Sequence, residues 1–294
     1  MDPTAFAYRR AMKPAAAALW DQHASVYDAL FSGLTGYVAE AMLRIADPRL
    51  PAGSKLLDVA AGTGALAIRG LERSLARGGA DSIVACDWSE GMLSFTERRA
   101  RALGASREQF TVEVQNGEAL GYADASFDAV FSCFGIFLFA DRRAGWREAA
   151  RVLRSGGLFV ASVWQSPATN PMLREQMAPM ARALPARLQG PPPTGSWLEV
   201  AEAAALAREV EECGAFRSLK VLPFHGSIAF GDWSKVWVAM LDNPVSGALL
   251  RRCDEGEREA VRESVFAHFR SLAGGDDQPL VLEAVCNILV ATKA

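Results

Sequence analysis

Residues 55–67 read KLLDVAAGTGALA. Apart from Lys55 and Asp58, residues 55–60 are apolar, the composition of a strand covered on both faces. Gly62, Thr63 and Gly64 then interrupt the run, and glycine lets a backbone pass close to a ligand with no Cβ in the way. A helical pattern follows over 64–77. A helix that starts on such a turn offers unpaired N–H groups to a polar or negative ligand group. Strand, glycine turn and helix in that order predict the opening unit of a doubly wound α/β fold.

The pattern repeats outward from there. Strands are predicted over 82–87, 110–115, 127–133 and 158–164, with helices over 89–103 and 146–153. Short connections between alternating strands and helices imply a parallel sheet covered on both faces, and right-handed crossovers wind it doubly. Such sheets bind ligands beyond the carboxyl ends of their strands, where strand order reverses. Ahead of this core, Leu19, Trp20, Val26, Tyr27, Leu30 and Phe31 recur at helical spacing within 16–46. Behind it come an irregular Gly/Pro stretch over 190–195, a helix over 198–213 and a strand over 219–230. Helical stretches over 233–241, 245–253 and 257–272, a turn over 274–277 and a last strand over 282–291 complete the chain. The expected architecture is a mostly parallel, seven-stranded sheet in three parts. These are N-terminal helices over the site (1–53), an α/β core (54–164), and the rest of the sheet carrying a helical lid insertion at about 231–280 (165–294).

Composition narrows the function. The 294 residues are 50% hydrophobic and 22% charged, with a formal net charge of -3 and no dense Lys/Arg run, so the electrostatic footprint of a nucleic-acid binder is missing. Five cysteines, widely spaced and without a C-x-x-C pair, fit reduced thiols in a cytoplasmic protein better than disulfides or zinc. Only three histidines exist and none has a metal-like neighbour, so no metal is expected. No apolar run reaches the roughly 18–20 residues of a membrane span. Arg9, Arg10 and Lys13 against a single acid, Asp2, give the N-terminus the charge of a transit peptide to mitochondria or another organelle, yet the helical pattern runs on into folded protein.

Two carboxylates discriminate between ligands. The glycines alone also fit the loose dinucleotide fingerprint of an NAD(P)-dependent oxidoreductase. Asp58, inside the first strand, suits a ligand with positive charge and is unwelcome beside a pyrophosphate. Asp87 ends the second strand, where a carboxylate can accept hydrogen bonds from both hydroxyls of a ribose. Its alternative role is to cap the helix over 89–103, which Ser89 can equally fill.

The motifs LDVAAGTG (57–64), VACDWSEGML (84–93), NGEALGYADASFDAVFSCFG (116–135) and ARVLRSGGLFVASVW (150–164) stand in the order and spacing of a known family. The chain from Trp20 to Trp164 resembles the class I S-adenosylmethionine-dependent methyltransferases, and most the branch of the ubiquinone and menaquinone C-methyltransferases. That resemblance implies S-adenosylmethionine as cofactor and a small-molecule methyl acceptor. It implies that Asp58 and the bend at Ala60, Gly62, Thr63 and Gly64 face the methionine part. Asp87 is then expected to hold the ribose, with Trp88 and Met92 packed on the nucleoside. Asn116, Gly117 and Glu118 are expected along the adenine edge, Cys133 and Phe134 near the transferred methyl, and Tyr27 closing over the cofactor. Two positions depart from the family: Ala60 where glycine is common, and Asn116 where aspartate is common.

Methyl transfer from a sulfonium needs alignment more than a catalytic triad, and none is found. By residue type His23 and His225 are the candidate general bases, although a packed or surface imidazole is the plainer role for each. Phe230, Trp233, Trp237, Met240 and Leu241 form an aromatic stripe at helical spacing, either core or the lining of an apolar acceptor pocket; Trp164, Trp197, Phe134 and Phe137 are further candidate walls. The competing functions are the NAD(P) oxidoreductase, a non-catalytic scaffold of the same fold, and a protein or nucleic-acid methyltransferase. The last lacks its Asn-Pro-Pro-aromatic signature, because Ser132-Cys133-Phe134-Gly135 follows the fourth strand instead. The acceptor, the atom methylated and the oligomeric state, a homodimer included, stay open at this level.

Overall fold

The computed structural model describes residues 15–190, 196–242, 246–275 and 278–294. Arg9, Arg10 and Lys13, most of the Gly/Pro stretch over 190–195, Val245 and Asp276-Asp277 lie outside the described residues. The sheet has seven strands in the order β3-β2-β1-β4-β5-β7-β6. Central β1 (Lys55–Val59) pairs in parallel with β2 (Ser82–Asp87) on one side and β4 (Phe127–Cys133) on the other. β3 (Phe110–Val114) continues beyond β2, and β5 (Leu153–Trp164) beyond β4, both parallel. β7 (Leu280–Lys293) enters antiparallel between β5 and the edge strand β6 (Phe216–Phe230). Strand order thus reverses at β1.

Each helix has a local cause. α1 (Ala15–Ala46) runs unbroken through two glycines. α2 (Ala65–Ala76) starts on the glycine turn. α3 (Glu90–Ala102) is capped by Ser89, whose hydroxyl accepts from Met92 N, and α4 (Arg142–Val152) by Asp141; such caps are worth about 1 kcal/mol each. α5 (Pro171–Ala183) and α6 (Ala203–Glu211) flank the later strands. Between β6 and β7 stand α7 (Trp233–Asp242), α8 (Ser246–Leu250) and α9 (Glu255–Ala273), the last opened by a capping box of Asp254 and Glu257.

Three expectations need correcting. The helix read at 146–153 begins at Arg142, because Asp141 supplies the cap. Ser155-Gly156-Gly157, read as a stop before the fifth strand, lies inside it, since Leu153 already pairs with Phe127 ahead of a register shift. The helix over 198–213 is broken into a 3-10 turn at Trp197–Val200 and α6. α5 was not foreseen: Pro179 within it masked a helical pattern that starts, as proline permits, with Pro171 in the first turn.

Two apolar clusters hold the molecule. In the first, the buried strands carry Leu57, Val130, Phe131, Phe159 and Val160 against the covering helices, each fully buried side chain contributing about 1.5–3 kcal/mol. The second lies past the end of β5, whose last pair is Trp164 with Cys286. There β6 and β7 continue as a two-stranded ribbon, and its inner residues Ile228, Phe230, Leu280 and Leu282 pack with Met172, Trp233, Val265 and Phe269. This cap is on the side of the carboxyl ends, and Leu34 of α1 belongs to its core. Among the described residues no helix is long and apolar enough to cross a membrane.

Candidate active site

After Val59 the backbone turns through left-handed Ala60 (φ 56°), Gly62 (φ 56°) and Gly64 (φ 90°). The bend is held from outside: Ala61 N donates to Cys86 O at 2.9 Å, and Thr96 Oγ1 to Gly62 O at 2.9 Å. At Gly64 an added Cβ would sit 2.7 Å from Thr96 Oγ1, so this position takes only glycine. At Ala60 the left-handed geometry costs an L-residue on the order of 1–2 kcal/mol. The glycine common at that place in the family is therefore the unstrained choice.

Asp87, at the tip of β2, faces the bend. Its Oδ2 accepts from Gly62 N at 2.9 Å and its Oδ1 from Ser89 N at 2.8 Å. Each oxygen keeps a lone pair for a further donor. Ser89 is the cap of α3, so Asp87 is not needed for that duty. Burial raises the Asp87 pKa, against the pull of the backbone N–H groups.

Asp58 lies beneath the bend at 1% exposure. Its Oδ2 accepts from Ala67 N at 3.0 Å, while Oδ1 is buried without a partner. Burial pushes this carboxyl up to about 8, and the neighbouring charge it feels, Asp87, is also negative. An orphaned carboxylate oxygen and two acids with no counter-cation among the described residues make the surroundings suited to a cationic ligand.

The cavity in front of the bend, about 280 Å³, is walled by Asp87, Met92, Asn116, Cys133, Phe134 and Phe139 among others. Asn116 Oδ1 accepts from Glu118 N at 2.9 Å, which leaves its amide nitrogen as the group to meet a ligand. Gly117 has no room for a side chain, since a Cβ would come within 2.6 Å of the Phe139 ring. Phe134 is left-handed (φ 58°), its N–H donating to Ser162 Oγ at 3.0 Å. Burial raises the pKa of both the Cys133 thiol and the Tyr27 hydroxyl, so each stays protonated.

α1 closes the cavity from above with Ala17, Trp20, Tyr27 and Thr35. It is latched at two points. Asp21 Oδ1 accepts from Ser89 Oγ at 2.6 Å and Gly91 N at 2.9 Å. Asp28 Oδ2 accepts from Arg99 at 2.8 Å, and the same guanidinium reaches Thr63 O at 2.7 Å.

Of the residues expected at the site, Tyr27, Ala60, Gly62, Thr63, Asp87, Trp88, Met92, Asn116, Gly117, Glu118, Cys133 and Phe134 share this one cavity. Asp58 and Gly64 are behind its wall. His23 is buried beside the rings of Trp20 and Tyr27 and is not on the wall. His225 is exposed on β6, its Nδ1 2.7 Å from Glu283 Oε1, because the edge strand turns it outward. Trp197 and Phe137 pack edge to face in the main core instead of lining an acceptor pocket. Phe230, Trp233 and Met240 form cap core, which resolves the aromatic stripe toward packing. Trp20, Thr35, Gln115, Leu138 and Phe139 line the cavity without having been singled out for it. Trp20 was visible only as one apolar helix position, and Phe139 follows a 3-10 turn that no periodicity announces. Among the described residues no cluster of three His, Cys, Asp or Glu is placed to hold a metal.

The model of the ubiE/COQ5 methyltransferase family matches residues 40–185. The chain is 40% identical over 118 residues to a demethylmenaquinone methyltransferase of Corynebacterium glutamicum (strain R), a match covering 40% of this chain and 45% of that protein. To the demethylmenaquinone methyltransferase of Parafrankia sp. (strain EAN1pec) it is 33% identical over 186 residues, 58% of this chain and 70% of that one. The chain therefore spans about half the length of the first of these relatives. Phosphoethanolamine N-methyltransferase 2 of Haemonchus contortus, solved with S-adenosyl-L-methionine, shares the fold with a TM-score of 0.51 at 16% identity, over 87% of this chain and 52% of that one.

Proposed function

The chain belongs to the ubiE/COQ5 methyltransferase family, and from that premise we propose that it transfers a methyl group from S-adenosylmethionine to a small-molecule acceptor. The observation that carries this reading is Asp87. Its carboxylate is pinned by the Gly62 N–H at the mouth of a cavity backed by the orphaned oxygen of Asp58.

When bound, the cofactor supplies a methyl group activated on a cationic sulfonium. The residues of this chain hold and orient it. The free lone pairs of Asp87 accept the ribose hydroxyls, Met92 and Trp88 pack on the nucleoside, and the Asn116 amide nitrogen donates to the base. Asp58, ionised once a cation lies beside it, would set a negative potential beneath the bend. α1 excludes water through Trp20 and Tyr27. No histidine stands on the described wall, and Tyr27 and Cys133 keep their protons, so alignment does most of the work; it can be worth about 7–11 kcal/mol.

The acceptor is apolar and aromatic in this reading. The relatives are named for demethylmenaquinone, a quinone, and Phe134 and Tyr27 offer aromatic surface on the cavity wall against which such a ring could lie. The family match ends at 185, ahead of α6 through β7. The cap at about 231–280 is therefore the part that would select the acceptor, with α1 as a strap and 54–164 as the cofactor domain. Five free cysteines support a reducing, cytoplasmic setting.

Calorimetry with S-adenosylmethionine, S-adenosylhomocysteine and NADH tests the cofactor, and labelled methyl transfer to a panel of quinols and phenols tests the reaction. Heat with NADH alone would overturn the first. Tight S-adenosylmethionine binding with no turnover on any acceptor would leave a scaffold.

A further inference from the structure

Arg69 of α2 differs from the other arginines. Among the described residues it is the one that is not exposed and yet has neither a hydrogen-bond nor an ion-pair partner. Its Nε is buried with no acceptor. The guanidinium packs against Gly36 in the middle of α1, where an added Cβ would come within 2.9 Å of Cζ and Nε. A glycine inside a helix costs about 1 kcal/mol relative to alanine, and leaving a buried N–H unpaired costs more. Both costs fall on the same contact.

The contact opens onto a groove of about 470 Å³ between α1, α2 and α3. Its walls include Gly33, Gly36, Ala65, Ile68 and Leu103, with Arg69 and Arg99 as its cations. Arg99 is already committed to Asp28 and Thr63 O. Glu72 lies at the rim, exposed and without an ion pair to Arg69. No acceptor of the groove, Glu72 included, pairs with the Arg69 guanidinium, which stands next to an apolar wall.

We propose that this groove is a second binding site, for a small anionic ligand whose carboxylate or phosphate caps Arg69 and whose apolar body lies against Ile68 and Leu103. With Nε turned in against Gly36, the Nη end of the guanidinium is what the groove offers, and a carboxylate or phosphate can pair with it through charge-assisted hydrogen bonds. The groove and the cavity stand back to back, sharing Ala65. The site does not depend on what the cavity binds.

Hexanoate and inorganic phosphate are the probes, tested on the full chain against chloride at matched ionic strength. With unmodified protein, phenylglyoxal labelling followed by peptide mass mapping is expected to slow severalfold at Arg69 under millimolar hexanoate, while exposed Arg107 labels unchanged. The melting temperature is expected to rise by about 3 °C at a probe concentration roughly tenfold above its dissociation constant. Arg69→Gln, and Gly36→Ala through its displaced guanidinium, are expected to lose that rise. Unchanged labelling of Arg69 with both probes, or an equal rise in the wild type and Arg69→Gln, overturns the site. The labelling result stands even if a variant fails to fold.

Discussion

Phe134 lies flat on Trp164, with ring centroids 3.8 Å apart and planes 12° apart. One ring lines the cavity and the other packs against both apolar clusters, so the stack joins the candidate site to the cap. An aromatic pair of this kind contributes about 0.5–1.5 kcal/mol beyond its buried area. Trp164→Leu is expected to lower the melting temperature by a few degrees and to raise the KM for the acceptor. The affinity for S-adenosylmethionine is expected to hold. A loss of cofactor binding with unchanged acceptor KM would assign the stack to the wrong half of the site.

Asp87 is the residue on which cofactor binding depends most. Asp87→Ala removes the carboxylate that Gly62 N–H fixes, together with the acceptors for two hydroxyls. Hydrogen bonds to a charged group contribute about 1.5–3 kcal/mol, so calorimetry is expected to show S-adenosylmethionine binding weakened roughly tenfold to a hundredfold. Wild-type affinity in this variant would remove the central support of the proposed function.

Asp58 sets a pH dependence. Its carboxyl is ordinarily at 3.8 and stands at about 8 in the folded chain, through burial. The folded state therefore binds the proton more tightly than the unfolded state. The stability this contributes is complete below about pH 4 and is lost as pH rises from there through about 8, on the order of 6 kcal/mol at most. Asp58→Asn, which keeps an acceptor for Ala67 N–H, is expected to flatten that part of the stability profile. A bound cation favours the ionised form, so S-adenosylmethionine binding near pH 7 is expected to release a proton. Calorimetry in buffers of different ionisation heats would read it, and identical heats in all buffers would refute it.

Ala60 and Gly135 form a tight pair. A Cβ at Gly135 would collide with the Ala60 methyl and come 2.8 Å from Ser132 Oγ. Gly135→Ala is expected to destabilise the chain by about 1–3 kcal/mol. Ala60→Gly relieves a left-handed alanine and is expected to be neutral or slightly stabilising. The double variant should recover part of the loss in a denaturant titration; strict additivity would mean the two residues do not meet.

Glu209 accepts from Arg142 Nε at 2.8 Å and from Trp146 Nε1 at 2.9 Å, tying α6 to α4. Glu209→Ala takes one of two acids from a largely buried guanidinium that keeps Glu199, and is expected to cost about 1–3 kcal/mol. A melting temperature within a degree of the wild type would contradict this.

The α/β core was legible because each of its signals is local. Lys55–Val59 is apolar enough for an inner strand, Ser82–Asp87 repeats it, and Gly62 and Gly64 mark the turn between strand and helix. The segments after Trp164 were harder to read. Pro179 interrupts the pattern of α5, and the ribbon of β6 and β7 draws its buried face from pairings far apart in sequence. His23 and His225 were candidates by type alone, and residue type carries no information about facing.

The amino-acid sequence by itself determined the order of strands and helices through Trp164, the glycine bend and the two acids beside it. These follow from hydrophobic period and from the few residues that tolerate a positive φ. Only the tertiary structure decided that Asp58 lies behind the wall with one oxygen unpartnered, that α1 is pinned over the cavity by Asp21 and Asp28, and that Arg69 stands unpaired against Gly36. Burial and the absence of a partner belong to neighbours brought together across the sheet, and no local run of residues encodes them.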